Sequence, residues 1–137
     1  MLANSKTVLI VEDEEMISAF IAAVLEEQGF RVLQASTSDE AERLWARESG
    51  AIDLMLSDYI LPGRSGVDLA TSMIQSNPAL KVVFMSGLDE EHFRPAAALR
   101  DAPVMRKPFS CGAIEEMTVR LFGARRLSGT PSSAGAF

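Results

Sequence analysis

Residues 54–66 read LMLSDYILPGRSG. Three consecutive apolar residues, Leu54, Met55 and Leu56, leave no polar face, as in a strand buried on both sides. The run ends on Ser57 and a carboxylate, Asp58, before a loop with Pro62, Gly63 and Gly66. A core strand that carries an acid to its own tip needs a reason, and the segments on either side supply it.

Strand and helix patterns alternate around this stretch. TVLIV (7–11) is a β-branched apolar run. Over residues 15–28 the period changes: Ile17, Phe20, Ile21, Val24 and Leu25 fall on one helical stripe, and Gly29 follows as a stop. RVLQA (31–35) is a short strand. Thr37 and Glu40 form a capping-box pair, and Ala41, Leu44 and Trp45 give the next helix its inner face. The spacing predicts the third strand over 52–57 and a helix over 67–76 with Ala70, Met73 and Ile74 inward, ended by Asn77-Pro78. KVVFMS (81–86) is a fourth buried strand. A weaker helix over 89–99 carries Pro95 inside its pattern, which predicts a late start or a break. Residues 103–106 form a fifth strand, and Ser110 caps a last helix bearing Ile114, Met117, Leu121 and Phe122, closed by Gly123. Five β-α pairs predict an α/β fold: a parallel sheet covered on both faces and joined by right-handed crossovers. The domain is expected over residues 5–123. Residues 124–137, small, polar and rich in Gly, Pro and Ser, are expected to be a flexible tail or linker.

Composition narrows the function. The chain has 137 residues, 47% of them hydrophobic, enough for one domain with a true core. A net charge of −6 argues against direct nucleic-acid binding, which needs a basic face, and suits acids gathered around a cation. With one cysteine, Cys111, no internal disulfide can form, and a reducing cytoplasm fits. Cys111 falls in the first turn of the last helix, where it reads as structural filler. The N-terminus lacks the pattern of a signal peptide, and no apolar run is long enough to span a bilayer. The single histidine, His92, has no paired His or Cys, so a zinc site is unsupported.

In an open parallel sheet, ligands bind beyond the carboxyl ends of the strands. Strand one ends in Glu12, Asp13, Glu14 and Glu15, strand three in Asp58, strand four in Ser86-Gly87, and strand five in Lys107-Pro108. Acids crowded on one edge repel, by about 4 kcal/mol per pair at 4 Å and an effective dielectric near 20. A divalent cation with oxygen ligands offsets this, and Mg²⁺ suits a carboxylate-poor, water-rich octahedron. Lys107 neutralises part of the remainder and can hold a phosphate oxygen, to which the Ser86 hydroxyl can also donate. A nucleophile ringed by cations and a hydroxyl is the equipment of phosphoryl transfer, with Asp58 becoming an aspartyl-phosphate. Glu14 and Glu15 fit a plainer role, an acidic first turn favoured by the helix dipole.

These residues resemble the receiver domain of two-component response regulators, and LPGRSG with VVFMSG resembles the hybrid histidine kinase kind. VLIVEDEE, DLMLSDYILPGRSG, VVFMSG and MRKPF occur in the family's order, with 45 residues from Asp13 to Asp58, 28 more to Ser86 and 21 more to Lys107. The likeness covers residues 5–122. It implies a flavodoxin-like (βα)5 three-layer sandwich with strand order 2-1-3-4-5 and a cis Lys107–Pro108 bond. It implies that Asp58 takes a phosphoryl group from a sensor histidine kinase or a histidine phosphotransfer protein and then switches contacts with a downstream protein. It implies that Mg²⁺ is held by Asp13 directly, by Glu12 through water, by Asp58 and by the backbone carbonyl of Ile60. Lys107 contacts the phosphoryl group, and Ser86 turns inward to bond it. The resemblance further implies a cytoplasmic signalling protein, monomeric or a weak homodimer, that catalyses only its own phosphorylation and dephosphorylation.

Two departures shape the expectation. The family often carries an aromatic switch residue three positions before the lysine; here it is Val104, which has no large swing to make. The positions that tune phosphoryl lifetime are Ile60 and Leu88, both apolar and unable to orient water, so slow self-dephosphorylation is expected. A small Mg²⁺-dependent phosphatase with an aspartyl nucleophile would need an acid at Ile60. A constitutive interaction domain would lose Asp58, Asp13 or Lys107, and all three are present. No room is expected after residue 123 for a DNA-binding output domain.

Overall fold

In the computed structural model, the described residues are 6–87, 99 and 101–123. Nine elements follow in chain order: β1 (Thr7–Val11), α1 (Glu15–Glu27), β2 (Arg31–Ala35), α2 (Ser38–Arg47), β3 (Leu54–Asp58), α3 (Gly66–Ser76), β4 (Lys81–Ser86), β5 (Val104–Arg106) and α4 (Cys111–Phe122). All strand pairs are parallel and the sheet order is β2-β1-β3-β4-β5. The helix expected over 89–99, with His92 and Pro95, falls almost wholly outside the described residues; so do Leu88 and the tail over 124–137.

The sheet separates two apolar layers because successive side chains point to opposite faces. Leu9, Val11, Met55, Val82 and Phe84 pack with α2 and α3. Val8, Ile10, Leu54, Leu56, Val83 and Met85 pack with α1 and α4. This explains why β1, β3 and β4 show no polar alternation: both of their faces are covered, and each fully buried large side chain contributes about 2 kcal/mol. Phe84 stacks on Tyr59 at 4.8 Å in the first layer, and Phe30 meets Phe122 at 5.7 Å in the second.

Some local expectations need correction. Phe20 lies at the margin of the α1 stripe and is 39% exposed, while Ser18 and Ala22 are buried beside Ile21 and Leu25. At α2 the Thr37 hydroxyl accepts from Glu40 N–H at 3.1 Å, but the Glu40 carboxylate turns to Ser36 N–H at 2.8 Å, so the box forms only one of its two reciprocal bonds. β3 begins at Leu54 rather than residue 52; Asp53 just before it donates its N–H to the Thr7 carbonyl at 2.9 Å and accepts the Thr7 N–H on its carboxylate at 2.8 Å. Its end includes Asp58. Gly29 takes φ 98°, the left-handed conformation that a helix stop requires.

Candidate functional site

Register brings the site together. Val11 pairs with Ser57, so the next residue on each strand, Glu12 and Asp58, emerge side by side at the carboxyl edge. Asp58 pairs with Met85, and Ser86 pairs with Arg106, which sets Lys107 just beyond. The Lys107 N–H donates to the Ser86 carbonyl at 2.9 Å and extends the ladder by one bond. The Lys107–Pro108 bond is cis.

The centre of the site is one ammonium between two buried acids. Lys107 Nζ lies 2.8 Å from Asp58 Oδ1 and 2.9 Å from Glu12 Oε1. Glu12 is 1% exposed and Asp58 5%. Glu12 Oε2 accepts from Glu14 N–H at 2.9 Å, while Oε1 has Lys107 as an ion pair but no aligned hydrogen bond. Asp13 stands exposed at the mouth, and carboxylate oxygens of Glu12, Asp13 and Asp58 can all lie within 4.8 Å of one another.

Burial is the largest influence on Asp58. Together with the nearby Glu12 charge it outweighs Lys107, and pushes the Asp58 carboxyl up from 3.8 to about 7. For Lys107, burial pulls the other way, but the ion pairs with Asp58 and Glu12 hold its pKa above the ordinary lysine value. Lys107 is thus a fixed cation, and Asp58 is a carboxylate held reluctantly in its charged form.

This donor set fits a divalent cation. Three carboxylates face one ammonium, so a doubly charged ion balances the cluster. The Glu12 oxygen without an aligned hydrogen bond is a further sign of under-used acceptor capacity. The ligands are all oxygen, as Mg²⁺ prefers.

The other expected residues are in different states. Ser86 is buried, and its hydroxyl donates to the Gly87 carbonyl at 3.0 Å. The Ile60 side chain is 56% exposed, and its backbone forms an isolated antiparallel bridge with Ser65 across the loop. Val104 is 41% exposed on β5. Cys111 is exposed in the first turn of α4. Two features escaped the sequence: the Glu14 N–H that fixes Glu12, and the close approach of Gly66 to Asp58. Glu14 reads as an acidic side chain when its backbone is what matters. Gly66 reads as a turn residue when it is the point where α3 meets β3.

No described helix is long and apolar enough to cross a membrane. The chain is 32% identical over 110 residues to the sensor kinase CckA of Brucella abortus, covering 80% of this chain but only 12% of that protein. It is 32% identical over 106 residues to the response regulator receiver protein CpdR of the same organism, covering 76% of this chain and 86% of that one. The crystal structure of a response regulator receiver domain protein from Clostridium thermocellum superposes with a TM-score of 0.71 at 26% identity, covering 85% of this chain and 96% of that one. Residues 8–118 match the response regulator receiver domain family, and with strand order β2-β1-β3-β4-β5 and its acids and lysine on one edge, this chain belongs to that family as a receiver domain of two-component signalling.

Proposed function

We propose that Asp58 is the phosphoacceptor of this receiver domain and that residues 5–123 form the signalling unit, with 124–137 as tail or linker. The observation that carries the reading is the Lys107 ammonium, held 2.8 Å from Oδ1 of the buried Asp58. In the transfer, an Asp58 oxygen attacks phosphorus of a phosphohistidine. The new O–P bond forms as the P–N bond breaks, and the imidazole leaves with the electron pair. Lys107 then shifts its charge from the carboxylate to the incoming phosphoryl oxygens. The Ser86 hydroxyl exchanges the Gly87 carbonyl for a phosphoryl oxygen, and that exchange carries the change to the neighbouring loop. Glu12, Asp13, Asp58 and the Ile60 carbonyl would hold Mg²⁺, which when bound supplies charge neutralisation at the equatorial oxygens.

The donor is a sensor histidine kinase or a histidine phosphotransfer protein. Support comes from the kinds of protein it resembles, a sensor kinase and a receiver protein. The domain catalyses its own phosphorylation and dephosphorylation and no metabolic reaction, acts in the cytoplasm, and works as a monomer or weak homodimer through protein contacts rather than nucleic acid. Intact-protein mass after incubation with acetyl phosphate tests the reading. A gain of one phosphoryl group that needs Mg²⁺ and is absent in Asp58→Asn is expected. No gain in the unmodified chain overturns it and favours a constitutive interaction domain.

A further inference from the structure

The backbone behind Asp58 is gripped from several sides. Ser57 is fully buried, and its hydroxyl donates to the Asp58 carbonyl at 2.8 Å. Gly66 opens α3 against that same carbonyl: a β-carbon there would lie 1.9 Å from Asp58 O and 2.8 Å from Ser57 Oγ. The other end of that peptide group is held as well, and so is the carbonyl of the next one. Tyr59 N–H donates to the Met85 carbonyl at 3.3 Å, and the Tyr59 carbonyl accepts from Gly66 N–H at 2.6 Å.

Peptide groups are planar and stiff. Fixing the Asp58 carbonyl and the Tyr59 N–H fixes the plane between them, and with it the Asp58 Cα from which the carboxylate springs. The carboxylate must reach Lys107 Nζ at 2.8 Å and stand beside Glu12 and Asp13. A side chain at 66 would push the Asp58 carbonyl by about 1 Å or more, since carbon and oxygen cannot share that space. The acceptor would then leave the position on which those contacts depend.

We propose that Ser57 and Gly66 are positioning residues for the phosphoacceptor. The buried Ser57 hydroxyl and the absent side chain at Gly66 together set where the Asp58 carboxylate stands relative to Lys107 and Glu12. The inference rests on the reading of Asp58 as acceptor. Neither residue needs to touch the phosphoryl group or the metal; both act through the Asp58 backbone.

The test compares Ser57→Ala, Gly66→Ala and Ala70→Gly in the full chain, each at a temperature where circular dichroism shows it folded. Ala70 is buried in α3 one turn on from Gly66 and supplies none of the contacts to the Asp58 carbonyl described above, so Ala70→Gly loosens the same helix without entering the grip. Two quantities are read: Mg²⁺ affinity by calorimetry, and the rate of acyl-phosphate formation from acetyl phosphate at saturating Mg²⁺. Gly66→Ala is expected to slow the reaction by about a hundredfold, the scale of an ångström misplacement. Ser57→Ala is expected to slow it by about fivefold, the scale of one hydrogen bond. Mg²⁺ affinity falls in both, while Ala70→Gly lowers only the melting temperature. Wild-type rate and affinity in folded Gly66→Ala, or losses that merely follow stability as in Ala70→Gly, overturn the proposal. If Gly66→Ala does not fold, Ser57→Ala decides: a wild-type rate and affinity there overturn it. If the unmodified chain gains no phosphoryl group, the acceptor reading is what has failed, and the Mg²⁺ affinities of the same variants still decide the positioning claim.

Discussion

Asp58→Asn should stabilise the metal-free protein, and by an amount that grows with pH. The Asp58 carboxyl rises from 3.8 to about 7 on folding, chiefly because burial disfavours its charge. Between those values the folded state binds more protons than the unfolded state, so stability falls as pH rises through the window. One pKa unit is worth about 1.4 kcal/mol, which puts the loss between pH 5 and pH 8 at about 3 kcal/mol. That figure already includes the attraction of Lys107, which stands 2.8 Å from Asp58 Oδ1. Asparagine is close in shape and carries no charge. The two proteins should therefore match only below the unfolded value of 3.8, and the advantage of Asp58→Asn should grow between pH 5 and pH 8 by about 10 °C in melting temperature for a domain of this size. The assay is thermal unfolding in chelator from pH 5 to 8, repeated with Mg²⁺, which should restore the advantage to Asp58. A difference that stays constant with pH, or one that favours aspartate as pH rises without metal, would refute the reasoning. It would mean that Lys107 alone keeps the carboxylate comfortably charged.

Further outcomes follow from the same cluster. Lys107→Ala leaves Glu12 and Asp58 facing each other without their shared cation and should cost about 2–3 kcal/mol in urea unfolding at pH 8, with part recovered in the double variant with Asp58→Asn. Mg²⁺ binding requires the Asp58 proton to leave, so apparent affinity at pH 6 should be about tenfold below that at pH 8, and calorimetry in two buffers should show close to one proton released at pH 6; absence of release contradicts the assignment. Phosphorylated protein should lose its label slowly, because Ile60 offers no group to orient water; Ile60→Asn should shorten the lifetime, and a wild-type half-life of seconds contradicts this. Ser110 caps α4 by accepting from Ala113 N–H at 3.1 Å, so Ser110→Ala should cost about 1 kcal/mol while leaving Mg²⁺ affinity unchanged.

The parts of this protein set by local pattern were legible in the sequence. β1 and β4 appear as apolar runs because both of their faces are covered, and β4 spans the same residues in sequence and structure. The acids and Lys107 could be placed together because each sits at the end of a strand, and a parallel sheet brings those ends to one edge. What was hidden depends on neighbours in space. Periodicity gives Phe20 the same standing as Ile21, but where a helix stripe ends depends on the sheet beneath it. The Glu40 carboxylate chose Ser36 over Thr37 within one turn of backbone geometry. Ser57 and Gly66 are ordinary residues for a strand tip and a loop; only the approach of α3 to β3 gives them meaning. The Ser86 bond to Gly87 belongs to a loop conformation that residue type does not encode.

The most direct test of the central claim is the location of the acyl phosphate. The protein is charged with acetyl phosphate and Mg²⁺, reduced with borohydride, which converts a phosphoaspartate to homoserine, and digested for peptide mass spectrometry. Homoserine at position 58, and at no other acid, is the predicted result. Homoserine at Asp13 or Asp53 with Asp58 intact, or no conversion anywhere, would contradict the account of Asp58 as the group that Lys107 and the acidic edge are built to serve.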